Sequence, residues 1–390
     1  MEEKFTDVGN LQELVKFNKG LQVSAFGDLS IAQFEPLASW TFAYNINPLL
    51  IRQEITSTGT VTNDESSAVL ETGVAADGKA KIETVKSSRY IPGIGGLARW
   101  TTVYDEPKAN SRQVQGLINS VDGWGFGYDG LKFGVVRIKD DVKYWIYQDE
   151  WNIDKKPNLN QQKGNVYQVS HQWLGYGIQV FSMEDEMGVL SPVHAIYYAN
   201  YNDYVSISNP NLPLSACVEN LGNTTNIKLK SPSAVAGLLG NAYNDSFAVY
   251  LADDVEKAVS SGTLIPLISF RLGDLYKGKE NRLFAQAIRL IAATDLNKSA
   301  TIRAYSGGTI TGGAWNYLFE EGAPIESNKT FTSYAPGLLV GSFPFSKVDS
   351  YPVDLESSKF KLFAGQTVTL VVDTTGLGTI TVGTNWKNFM

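Results

Sequence analysis

The stretch VYQVSHQWLGYGIQVFSM, residues 166–183, decides how the fold is read. Tyr167, Val169, His171 and Trp173 fall on one side, and Gln168, Ser170 and Gln172 on the other. That period of two places successive side chains on opposite faces of a strand. Gly175 and Gly177 then interrupt the run, as a bulge or sharp bend requires. Residues 189–201 read as a second long strand, with His194, Ile196 and Tyr198 on one face.

The same pattern extends outward in both directions. Residues 66–71 and 80–85 alternate around the turn Ala76-Asp77-Gly78, and residues 97–104 form another strand. Residues 131–138 and 142–148 are joined by the turn Lys139-Asp140-Asp141, and 216–230 holds two strands around Asn220-Leu221-Gly222-Asn223. After the small-residue segment 231–240, residues 253–261 carry helix character with Gly262 as C-terminal cap, so a domain boundary is expected near 241–262. Beyond it, 265–272, 285–292, 300–305, 338–343, 366–373 and 378–384 are further strands. Many strands with turn signals and no alternating helices predict a mostly-β chain of jelly-roll or sandwich type, not a parallel α/β sheet. The expected units are an arm at 1–55, a β-sandwich at 56–245, and a smaller β-sandwich at 246–390. Within the arm, Asn10 and Glu13 have capping-box spacing, and Leu11, Leu14 and Val15 give one apolar face, predicting a short helix over 11–18. The aromatic order Phe34, Trp40, Phe42, Tyr44 suits either a segment docked on a neighbouring subunit or a strap on its own domain.

Composition narrows the function classes. At 390 residues the chain has room for two or three domains of about 150 residues. Tyr, Phe, Gly, Thr and Val outnumber the four Met, which favours strands and tight turns. A net charge of −7, with no basic run longer than Lys155-Lys156, disfavours nucleic acid, whose phosphates need clustered Lys or Arg. One cysteine, Cys217, excludes an internal disulfide and is expected to be buried. With His171 and His194 as the only histidines, a Cys/His zinc site is nearly excluded. The start, Met1-Glu2-Glu3-Lys4, does not read as a signal peptide, and no segment has the ~20 apolar residues of a membrane helix. The expectation is a chain made in the cytoplasm that leaves only as part of something else.

Candidate chemistry is sparse. Glu184 and Glu186 share a strand face and are the nearest approach to the paired carboxylates of a polysaccharide hydrolase, but Met187-Gly188 makes Glu184-Asp185-Glu186 read as an acidic hairpin tip. Gly123-Trp124-Gly125-Phe126-Gly127 is not a phosphate loop; glycines alternating with aromatics suit a strand against which another backbone packs closely. His171 and His194 read as hydrogen-bonded core histidines. Asp122, Asp129 and Asp203 have the chemistry of calcium ligands and equally that of turn residues. Catalytic residues, cofactor-binding residues and metal ligands are therefore given as none. Trp124, Tyr128, Trp145, Trp151 and Tyr201 are the candidate glycan or partner surface, weighed against the alternative that they fill the core.

One resemblance covers residues 85–235. Ser88-Arg89-Tyr90 with Gly93 and Gly95, residues 97–103, and Gly123-Trp-Gly-Phe-Gly-Tyr-Asp-Gly-Leu-Lys-Phe-Gly-Val135 open it. Tyr167 with Gln172-Trp-Leu-Gly-Tyr-Gly177, His194 with Tyr198-Ala-Asn200, and Asn209-Pro-Asn-Leu-Pro213 continue it in order. Together they resemble a module of structural proteins of tailed phages and some large DNA viruses. The module also looks like the two-sheet sandwich of legume-type lectins. The resemblance implies a non-enzymatic virion component: a head or tail fibre, appendage or decoration protein, with host attachment through glycan plausible. It implies a homotrimer or homodimer, docked on other virion proteins through the N-terminal segment, and it brings no catalytic residues. No coiled-coil heptads are present from which to read the oligomeric state. The alternatives are a glycan-binding recognition module and a polysaccharide depolymerase.

Overall fold

The computed structural model describes residues 34–389 apart from 157, 241–247, 260–263, 347 and 357–359. The helix expected over 11–18 lies outside the described residues. The chain divides into two compact units between residues 242 and 243. Both are all-β sandwiches.

Among the described residues, sixteen strands build the first unit: β1 (Phe34–Thr41), β2 (Ile51–Thr56), β3 (Thr60–Asp64), β4 (Ser67–Glu71), β5 (Lys79–Ser88), β6 (Gly96–Tyr104), β7 (Ser111–Ile118) and β8 (Gly123–Asp129). They continue with β9 (Lys132–Lys139), β10 (Val142–Tyr147), β11 (Asn165–His171), β12 (Gln179–Glu184), β13 (Leu190–Ile196), β14 (Leu212–Asn220), β15 (Lys228–Ser231) and β16 (Ser233–Leu239). The front sheet runs β10-β9-β8-β7-β14-β5-β2, all antiparallel. The back sheet runs β13-β12-β11-β6-β15-β4-β3, and β16 joins β1 to β6. The turn between β9 and β10 has positive φ at both Asp140 and Asp141 (50° and 64°), the requirement of a two-residue type I′ hairpin.

Between the sheets lies an aromatic core. Phe126 packs on Tyr167 (ring centroids 5.0 Å), Phe181 (5.5 Å) and Trp151 (5.9 Å), and Tyr104 on Phe133 (5.6 Å). The buried Tyr104 hydroxyl donates to the Phe126 carbonyl (2.8 Å), so burying its polar end leaves nothing unsatisfied. A polar chain also crosses the sandwich. Thr102 Oγ1 donates to Gln115 Oε1 (2.7 Å), while Gln115 Nε2 and Trp40 Nε1 both donate to Ser231 Oγ (2.9 and 3.2 Å).

That chain corrects the reading of residues 1–55 as a separate arm. From Phe34 onward the segment is a strap on its own domain: β1 pairs with β16, Trp40, Phe42 and Ile46 are buried in the core, and β2 closes the front sheet. Ala38, Trp40 and Phe42 point inward at every second position, after a bulge between Pro36 and Ala38.

In the second unit, Ala248–Val259, Gly378–Phe389, Phe284–Leu296 and Val348–Asp354 form one sheet, with Lys361–Phe363 also paired to Phe284–Leu296. Its partner sheet runs Asn316–Tyr317, Ile325–Asn328, Ile265–Leu272, Thr367–Thr374, Ala300–Ser306 and Leu338–Phe345. Of the helix expected over 253–261, residues 253–259 are instead part of the strand Ala248–Val259, paired through all twelve residues with Gly378–Phe389, while 260, 261 and the Gly262 cap lie outside the described residues. Ala, Glu and Lys there have good helix propensity, but a cross-strand partner along the whole length overrides that weak preference. Among the described residues, no helix is long and apolar enough to cross a membrane.

Candidate functional site

Strand β8 determines what the outer face of the front sheet looks like. Its even positions Trp124, Phe126 and Tyr128 point into the core, so Gly123, Gly125 and Gly127 face out. A Cβ at Gly116 would lie 2.1 Å from the Trp124 carbonyl oxygen, and one at Gly125 would lie 2.6 Å from that of Gln115. The close backbone packing expected of this stretch is present, and the glycines are themselves buried, with Ile118 Cδ1 3.1 Å from where a Gly125 Cβ would stand.

The register draws a row across all seven strands: Trp145 (β10), Val136 (β9), Gly125 (β8), Gly116 (β7), Ser215 (β14), Glu83 (β5) and Arg52 (β2). A parallel row runs Tyr147, Gly134, Gly127, Val114, Cys217, Lys81 and Glu54. Over these rows lies a groove of about 430 Å³. At one end Trp145 packs on Val114, Ile118, Val136 and Ile138, a small apolar cluster separate from the sandwich core.

The other end is ionic. Lys79 Nζ meets Glu54 Oε1 at 2.5 Å, Lys81 Nζ meets Glu83 Oε2 at 2.9 Å, and Arg112 Nη1 meets Glu219 Oε1 at 2.5 Å. Arg112 also approaches Asp129 (3.7 Å) and Arg52 approaches Glu83 (3.8 Å), while beside Trp145 on β10 Lys143 pairs with Asp141 (3.0 Å). Burial opposes the charge on Lys79, yet its hydrogen bond to Glu54 and the nearby carboxylates raise its pKa above the ordinary lysine value. Cations and carboxylates thus balance, leaving a fixed array of donors and acceptors. Cys217 lies half-buried between the two ends and not fully in the core. Burial, helped by Glu219, pushes its thiol up to about 12, so the thiolate a nucleophile needs is not formed at neutral pH.

The five aromatic candidates do not come together. Trp124 and Tyr128 are buried in the core on the inward side of β8, and Trp151 is buried there from the loop after β10. Tyr201 is exposed (79%) in the loop between β13 and β14. Trp145 alone lines the groove. Sequence reasoning missed the ionic end, although Lys79-x-Lys81-x-Glu83 and Cys217-x-Glu219 carry its signal: polar residues at every second position put a charged face on a strand.

Other candidates resolve individually. Glu184, Asp185 and Glu186 sit at the tip between β12 and β13, where Asp185 Oδ1 accepts the Met187 and Val189 N–H groups (both 2.9 Å). His194 is hydrogen-bonded, its Nδ1 accepting the Asn152 N–H (3.2 Å). His171 departs from expectation: it is buried against Trp124 (ring centroids 4.7 Å) with neither ring nitrogen hydrogen-bonded. Asp122, Asp129 and Asp203 are not gathered around one point, and among the described residues no three metal-ligating side chains are. Asp122 instead accepts the N–H groups of Asp140 (3.3 Å), Ser208 (3.0 Å) and Asn209 (2.9 Å), tying two loops together. Asp122→Ala is expected to cost about 2 kcal/mol, because it orphans those donors; the urea midpoint measures it.

The chain matches no family model and no curated protein. Among solved structures it is similar to a β-1,3-glucanase from Mycobacterium marinum (12% identity, 52% of this chain, 98% of that one, TM-score 0.35). It is also similar to peanut lectin (11%, 53% and 100%, 0.33) and to a legume lectin-like domain from Entamoeba histolytica (10%, 50% and 95%, 0.33). Likenesses of this strength carry no information on ligand or activity, which rest on the groove's own residues.

Proposed function

We propose that this chain is a non-enzymatic structural subunit of a virus particle, a head- or tail-associated fibre, appendage or decoration protein, and that it meets host glycan through the front-sheet groove. The groove that runs from Trp145 over Val136, Val114 and Cys217 to Lys79, Lys81 and Glu54 is the observation that carries the recognition half. A sugar ring has an apolar face and a hydroxyl rim. An indole on an apolar bed suits the face, and charge-assisted hydrogen bonds suit the rim. The particle half is supported by the ordered motifs over residues 85–235. Self-association as a trimer or dimer, and docking through the N-terminal segment, belong to the same reading.

Binding without hydrolysis fits the groove better than a depolymerase does. Glycoside cleavage uses two carboxyls in unequal states across the bond. Glu54, Glu83, Asp141 and Glu219 are each tied to a Lys or Arg, and Glu184 and Glu186 stand at a hairpin tip.

Trp145→Ala should weaken binding of the best ligand on a host-glycan array at least tenfold, about 1.4 kcal/mol, in protein that stays folded by far-UV circular dichroism although uncovering the apolar cluster lowers its urea midpoint. Full binding by that variant would remove the groove from the reading. Gold labelling of intact particles tests the other half: label at discrete head or tail sites supports it, and protein found only in lysate while its epitope is accessible overturns it.

A further inference from the structure

The second unit contains a cavity of a different kind. About 230 Å³ lies between its two sheets, walled by Phe270, Leu290, Phe343, Phe360, Leu370 and Trp386 among others. Phe270 and Trp386 close one side with ring centroids 5.1 Å apart. The Ala287 N–H donates to the Phe360 carbonyl (3.0 Å), which fixes that part of the wall. Among the described lining residues one polar side chain occurs, Thr384, and its Oγ1 accepts the Trp386 indole N–H (2.9 Å). The wall's two side-chain polar groups therefore satisfy each other.

Folded cores pack with few voids larger than a water molecule, and a roomy apolar void holds an apolar guest more readily than water, which needs two to four polar partners. Here the wall is predominantly apolar and offers water little beyond the Thr384 hydroxyl. The cavity is also continuous with an apolar surface. Val340 and Gly341 line it, and they belong to the edge strand Leu338–Phe345, where Leu338, Leu339 and Val340 are exposed (55%, 47% and 39%). From these observations we infer that the second unit binds the alkyl chain of a single-chain amphiphile of the fatty-acid type. The hydrocarbon lies between the sheets, and the polar end stays at the Leu338–Phe345 edge.

The parent chain, titrated with cis-parinaric acid, should show saturable uptake that sodium laurate displaces. Filling the space with Ala287→Leu and Ala304→Leu together should cut uptake more than tenfold while the urea midpoint holds or rises. Should that pair fold poorly, Leu290→Ala enlarges the same space, and the best competitor should shift from laurate to a longer acid. The inference is overturned by absence of saturable uptake in the parent, by undiminished uptake in a folded filled variant, by an unshifted chain-length preference in Leu290→Ala, or by binding to phosphatidylcholine vesicles without uptake of the free acid.

Discussion

Gly127→Val is expected to remove most soluble protein, at a cost of about 3 kcal/mol or more. Gly127 lies in the middle of β8, and a Cβ there would stand 2.0 Å from the Gln113 carbonyl oxygen and 2.9 Å from the Val114 Cα. Both are backbone atoms of the paired strand β7, so no side chain can swing aside. Relief would require β7 and β8 to part, and Phe126 and Tyr128 hold that strand to the opposite sheet through their rings. Gly130→Asn is the control. It sits in the β8–β9 turn at φ +60°, where an added Cβ would meet nothing within 4 Å, and Asn tolerates that conformation. Soluble yield and urea midpoints of the two variants, side by side, check the expectation; a stable Gly127→Val chain would mean that the floor of the groove has slack.

Acidification is the second large effect. Burial lowers the pKa of His171 from 6.5 to about 4, because the imidazolium would have no hydrogen-bond acceptor beside Trp124. Above pH 6.5 the ring is neutral in both folded and unfolded chains, and its contribution is fully present. Between there and about pH 4 the unfolded chain takes up the proton and the folded one does not, so stability falls as pH falls. The loss approaches about 3 kcal/mol from this residue. His194, also lowered by burial, acts in the same direction. His171→Phe removes a titrating group that makes no hydrogen bond, so it should nearly hold stability at about pH 7.5 and gain relative to the parent at about pH 4.5. Urea midpoints at the two values read this directly; equal slopes in parent and variant would remove His171 as the cause.

Both effects show what was legible in the sequence and what was not. The period of two over residues 166–183 identified β11 and its inward residues Tyr167, Val169 and His171, because alternation is a local property. The alternation of glycine with aromatics in β8 was equally local. Whether Trp124 or the glycines faced outward was not, since a strand alone does not say which of its faces meets a second sheet. Two of the five aromatic candidates, Trp124 and Tyr128, fell to that ambiguity, and Trp151 fell to a loop whose path no local pattern marks. The ionic end of the groove combines β2, β5, β7 and β14, brought together only by pairing between residues as distant as Glu54 and Glu219. The helix expected over 253–261 failed for the same reason: its residues prefer a helix locally, and the partner that makes them a strand lies over a hundred residues later.

The order of the front sheet has a consequence for how such a surface can change over generations. Trp145 and Arg52 lie on β10 and β2, the two outermost strands, while the glycines lie on the interior strands β7, β8 and β9. On the proposed reading, replacements at the margins alter what is recognised and leave the crowded middle untouched. That reading assigns preference and foldability to different strands, so that a lineage could drift from one ligand to another along the margins without passing through a chain that fails to fold.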